Sequence, residues 1–156
     1  MFDELRELYQ EVILDHGKSP RNFRAIENAT CSGHGNNPIC GDMLVVYLCI
    51  NENDVIEDVS FQGQGCAISM ASASMMTEIL KGRKKSEAQR LFETFHDMCT
   101  KDDFEAGDTS EEDEDAMDRL QVLAGVREFP IRVKCATLAW HTMDSAANGS
   151  VETSTE

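Results

Sequence analysis

Basic residues are scarce in this chain. Its 156 residues carry 14 lysines and arginines against 29 acids, for a formal net charge of −15. A nucleic-acid binder needs cations to replace the counterions around phosphates, and docking on anionic lipid needs them too, so neither class fits. Long apolar runs are missing as well, and nothing approaches the ~18 residues of a spanning helix. The opening MFDELRELYQE is charged from its third residue and has no apolar signal region, so a soluble, cytoplasmic protein is expected. Aromatic residues are only 6% of the chain, which predicts a mostly aliphatic core. No internal repeat is visible, and the length suits one domain with one core.

What the chain does have is six cysteines: Cys31, Cys40, Cys49, Cys66, Cys99 and Cys135. Cytosolic thiols stay reduced, so metal binding or thiol chemistry is a better reading than a disulfide framework. There is no CxxC pair among them, and any metal site must be assembled by tertiary folding.

Apolar residues at helical spacing predict a helix over 2–15, ended by Gly17 and Ser19-Pro20. Residues 21–42 read as loop with one short strand. The runs 43–50 and 55–62, joined by the polar turn Asn51-Glu52-Asn53-Asp54, predict an antiparallel hairpin. A helix rich in Ala, Ser and Met follows over 66–81. The Ser86-Glu87-Ala88-Gln89 capping box predicts another, to about His96. From Asp102 to Asp118, 10 of 17 residues are acids and none is basic, which reads as a solvated loop. Helical spacing returns over 116–124 and ends at Gly125. Pro130 suits the first turn of a last helix through about Ala147, and the tail 148–156 is expected to fray.

Three places join a cysteine to features that expose or activate it. In Asn37-Pro38-Ile39-Cys40-Gly41-Asp42, an extended backbone would turn Cys40 and Asp42 toward one ion. In Gly63-Gln64-Gly65-Cys66, the glycines bring Cys66 to a helix start, where the partial positive charge favours the thiolate. In Arg132-Val133-Lys134-Cys135, two cations flank the thiol. Three cysteines and an aspartate would make a four-coordinate zinc site whose carboxylate is the exchangeable ligand. On spacing alone, three unrelated buried thiols are the favoured reading, because the pattern is loose.

The order and wording of four segments add to this. Tyr9 to His16 with Ser19-Pro20-Arg21-Asn22, then Asn37 to Asp42, then Gly63 to Ser69 with Ala71 to Ser74, and finally Arg132 to Trp140 closely resemble the SufU branch of the IscU/NifU-N family, across residues 2–145. Lys134, where IscU-type scaffolds carry histidine, and the insertion between Cys66 and Cys135 favour that branch. The unusual acidity of the insertion, about 100–118, is a departure from it.

The resemblance implies an α+β fold: a small antiparallel sheet packed against helices, one domain over 1–147, with the metal site at one exposed end. It implies zinc held by Cys40, Asp42, Cys66 and Cys135. It implies sulfur received from a SufS-type, pyridoxal-phosphate cysteine desulfurase and passed to the Suf assembly machinery. Cys40 would be the acceptor, freed when a partner histidine replaces it on zinc, and Arg132 would steer the persulfide or contact the partner. The same ligands would also suit a scaffold building a [2Fe–2S] cluster, and a purely structural metal in an acidic adaptor is the third reading. Cys31, Cys49 and Cys99 are expected to be structural or incidental, His34 and His141 to stay off the metal, and Met70, Met75 and Met76 to be packing residues.

Overall fold

The computed structural model describes residues 2–38, 41–101, 111–149 and 152–154, with 2–8 and 152–154 described by their backbone alone. Strands β1 (Cys31–Asn37), β2 (Asp42–Ile50) and β3 (Ile56–Gln64) form an antiparallel sheet in the order β3-β2-β1. Helices α1 (Phe2–Lys18), α2 (Ala67–Leu80), α3 (Lys85–Thr100), α4 (Glu111–Leu120) and α5 (Pro130–Ala147) complete the α+β fold. Among the described residues, no helix is long and apolar enough to cross a membrane.

Strand β2 alternates as its sequence requires. Leu44, Val46 and Leu48 are buried on one face together with Asp42, and α5 packs against β1 and β2. Strand β1, CSGHGNN, has almost no residue that favours a strand. Its glycines serve the packing instead. A Cβ at Gly33 would come within 3.1 Å of Ala146 Cβ, and one at Gly35 would overlap the Thr142 hydroxyl, so α5 can lie this close only because both side chains are absent. The core is mainly aliphatic, with Phe61, Phe95 and Trp140 as its buried aromatic residues, and Met70, Met75 and Met76 are packed within it.

The segment 9–22, prominent in the sequence, fastens α1 to α2. His16 Nδ1 lies 2.7 Å from Ser74 Oγ, the Arg21 N–H donates to the same hydroxyl, and Asn22 Nδ2 donates to Thr77 Oγ1. Burial holds the His16 imidazole below its ordinary pKa, which suits a neutral ring in this bond.

Several boundaries differ from the sequence reading. Gly17 does not end α1, which runs to Lys18. Ser86 does not cap α3. The cap falls two residues earlier, at Lys84, which makes no side-chain capping bond. The backbone of the hairpin turn takes over that role: the Lys85 N–H donates to the Asp54 carbonyl at 2.8 Å, and the Ile56 N–H to the Arg83 carbonyl at 2.8 Å. Helix α4 passes at Leu120 into a 3-10 segment, Gln121–Glu128, which continues through Gly125. At the C-terminus, Glu152–Ser154 form a short strand β4 that pairs in parallel with β1, where fraying was expected. The open edge of β1 supplies the backbone partners.

The largest correction concerns the acidic segment. Residues 102–110 lie outside the described residues, but 111–118 are helical, within α4, and one of the acids is buried. Asp113 accepts from Arg83 Nη1 at 2.7 Å and from Arg90 Nη2 and Nε at 2.8 and 3.0 Å. Arg83 also donates to the Glu112 and Ile79 carbonyls. With side-chain exposures of 3% for Asp113 and 13% for Arg83, this pair is largely shielded from water, while Arg90 remains half exposed. Asp113→Ala should therefore remove the nearest counter-charge of a largely buried guanidinium, leaving it two carbonyls and the Glu87 carboxylate at 3.8 Å. A loss of about 2 kcal/mol is expected, below that for a fully buried pair because Arg90 is solvated. Urea unfolding checks this, and a variant as stable as the wild type would show that the pair does not anchor α4.

Candidate metal centre

Asp42 opens β2, Cys66 precedes α2, and Cys135 lies in the second turn of α5. One ligand atom from each lies within 4.8 Å of the others. Asp42 and Cys135 are buried and Cys66 half-buried. Tetrahedral zinc, with Zn–S at ~2.3 Å and Zn–O at ~2.0–2.2 Å, sets its ligand atoms roughly 3.5–3.8 Å apart. The 4.8 Å limit on their separations is compatible with that spacing, and the chemistry of the three donors suits zinc or an iron–sulfur cluster. Cys40 lies outside the described residues.

Each donor is held by polar groups of another element. Asp42 Oδ1 accepts the Cys66 N–H at 2.9 Å, and Asp42 Oδ2 accepts from Asn37 Nδ2 at 3.2 Å. Asn37 Nδ2 also reaches Cys135 Sγ at 3.7 Å. Cys66 is the N-cap of α2, as its preceding glycines predict. Its thiol is brought down to about 6, first by the hydrogen bond with Cys135 and further by the Ser69 and Ile68 N–H groups, against burial and the Asp42 charge. At neutral pH this favours a Cys66 thiolate, the form a metal requires.

Gly65 makes the approach possible, because a Cβ there would overlap Asp42 Oδ1 and lie 3.1 Å from Asp42 Cγ. Arg132 is exposed and lines an open cleft of about 530 Å³ with Cys66, Glu128, Phe129, Pro130 and Ile131. Phe129 and Ile131 present apolar surface there, at 59% and 54% exposure. Lys134 is half-buried.

A model of the NifU-like N-terminal domain matches residues 8–136. The chain belongs to this IscU/NifU-N family. It is 40% identical over 139 residues to the zinc-dependent sulfurtransferase SufU of Bacillus subtilis, covering 88% of this chain and 87% of that one. It is 37% identical over 147 residues to the iron-sulfur cluster assembly scaffold protein IscU of Streptococcus pyogenes, covering 94% and 87%. Among solved structures, a SUF-system scaffold protein from Fervidobacterium islandicum matches with a TM-score of 0.78 and 34% identity, over 88% of this chain and 94% of that one.

Within this family member, the cysteines outside the cluster have other settings. Cys99 is fully buried, and desolvation pushes its thiol up to about 12. Cys31, half-buried, is raised by the same cause. His34 is exposed, and His141 packs edge-on against Phe92 and His96. None of these joins the donor cluster among the described residues. Asn37 had no role in the sequence reading. The available signal was its place beside Cys40 and Asp42, which β-pairing turns into direct opposition of Asn37 and Asp42.

Gly65→Ala is expected to push the Asp42 carboxylate off its two donors. Affinity for zinc should fall about tenfold or more, in the range of lost outer-shell contacts, with the fold retained. Chelator competition and circular dichroism check this. Wild-type affinity would mean that the close approach has no bearing on the donors.

Proposed function

We propose that this chain is an iron–sulfur cluster assembly protein that acts as a zinc-dependent sulfurtransferase, accepting persulfide sulfur from a SufS-type cysteine desulfurase. The carrying observation is the convergence of Asp42, Cys66 and Cys135, contributed by a strand and two helix regions. The likeness to the Bacillus subtilis sulfurtransferase supports the reading, as does Lys134, which stands before Cys135 where IscU-type scaffolds carry histidine.

In this reading Asp42, Cys66 and Cys135 hold the ion with Cys40 as the fourth ligand. Zinc bound there would keep the thiols deprotonated at neutral pH. The Cys40 thiolate attacks the outer sulfur of the persulfide on the desulfurase. A new S–S bond forms at Cys40, the old one breaks, and the desulfurase cysteine departs as a thiolate. Arg132 offers a cation to the incoming persulfide anion from the rim of the cleft. The apolar side chains of Phe129 and Ile131 give the partner a surface from which water can be excluded.

The direct test is cysteine-dependent sulfide release by the desulfurase with and without this protein. Strong stimulation is expected from the wild type and none from Cys40→Ser. Stimulation that survives the substitution would remove Cys40 from the acceptor role.

A second reading, a scaffold for a [2Fe–2S] cluster, is favoured by the IscU relatives and uses the same donors. Metal analysis separates the two. About one zinc per chain is expected after purification in air, and Cys66→Ala and Cys135→Ala should lose both zinc and melting temperature, because binding free energy is also folding free energy. Stoichiometric iron and sulfide would favour the scaffold, and variants that keep their zinc would refute the ligand set.

A further inference from the structure

We propose that Asn37 is a positioning residue, whose buried side-chain amide donates to Asp42 and Cys135 together and keeps both in place as fixed ligands. This rests on the metal-centre reading above and adds a residue to it.

Asn37 ends β1, is fully buried, and stands opposite Asp42 in the β1–β2 register. Its Nδ2 lies 3.2 Å from Asp42 Oδ2 and 3.7 Å from Cys135 Sγ, so one amide group ties a sheet ligand to a helix ligand 98 positions along the chain. The NH2 group has two hydrogens and meets two acceptors. With an ion bound, both acceptors are anions with no hydrogen to give, so the amide can face them only through its nitrogen. Its Oδ1 is buried and meets no partner among the described residues. An unpaired buried acceptor is unfavourable, and an apolar side chain would avoid it. What the site gains from asparagine is therefore the pair of donated hydrogens.

Hydrogen bonds to a thiolate draw charge from the sulfur and fix its direction. Cys135 receives this from Asn37, and Cys66 from the N–H groups at the start of α2. Asp42 is held at both oxygens. All three donors are thereby held in fixed positions relative to one another.

The test uses Asn37→Ala in the full chain, with zinc affinity measured by chelator competition. Alkylation of individual cysteines in the zinc-loaded protein is followed by mass spectrometry. Affinity should fall about 10–100-fold and Cys135 alkylation should rise about tenfold relative to Cys66, as for other outer-shell partners of metal ligands. A packing role alone would lower the melting temperature of the metal-free protein and leave both readouts unchanged, which would overturn the proposal. Wild type that takes up no zinc would overturn the metal centre itself, and Asn37's role with it. Should the variant fail to fold, the wild type loaded with an NMR-active cadmium isotope decides. The Asn37 side-chain amide proton should couple to the metal through Cys135 Sγ, and absence of that coupling would refute the assignment.

Discussion

The Asp42 carboxylate is the tie on which the arrangement depends. It stands at the first residue of β2, is buried, and has each oxygen bound by a different element: Asn37 from β1 and the Cys66 N–H at the head of α2. A buried carboxylate without partners would be costly. Here the partners are also the neighbours of the thiols, so satisfying one charge aligns the whole donor set. The sheet, α2 and α5 meet at this point, and each brings one donor to it. The absent side chains of Gly33, Gly35 and Gly65 let the layers come close enough.

Much of this was legible in the chain, for reasons that differ from element to element. The β2–β3 hairpin announces itself because period-two burial and an Asn-rich turn are local properties. Asn51 Oδ1 accepts from the Asn53 and Val55 N–H groups, as such a turn requires. Pro130 stands in the first turn of α5, where its missing N–H has no cost. The position of Cys66 at a helix start followed from the glycines before it.

What was illegible depended on distant partners. Strand β1 has glycines where a strand would have branched residues, and only the presence of Thr142 and Ala146 above it explains them. The start of α3 is determined by backbone bonds from a hairpin turn some thirty positions earlier, which no local capping pattern can report. The acids of α4 look uniformly solvated in sequence because burial of Asp113 requires Arg83 and Arg90, both remote from it. Asn37 belongs with these, since its meaning comes from a cysteine nearly a hundred positions away. Of the residues the motifs named as ligands, Asp42, Cys66 and Cys135 come together among the described residues, and the contacts that hold them are tertiary.

The Asp113 pairing has a consequence for how this region can vary. Helix α3 ends at Thr100 and α4 begins at Glu111, with the latter clamped to Arg83 and Arg90. The intervening chain therefore joins two ends that are independently secured. Closing a loop between fixed ends costs only about 0.6 kcal/mol more for each doubling of its length. Length and charge in that stretch can change widely while the donor cluster, built on other elements, stays as it is.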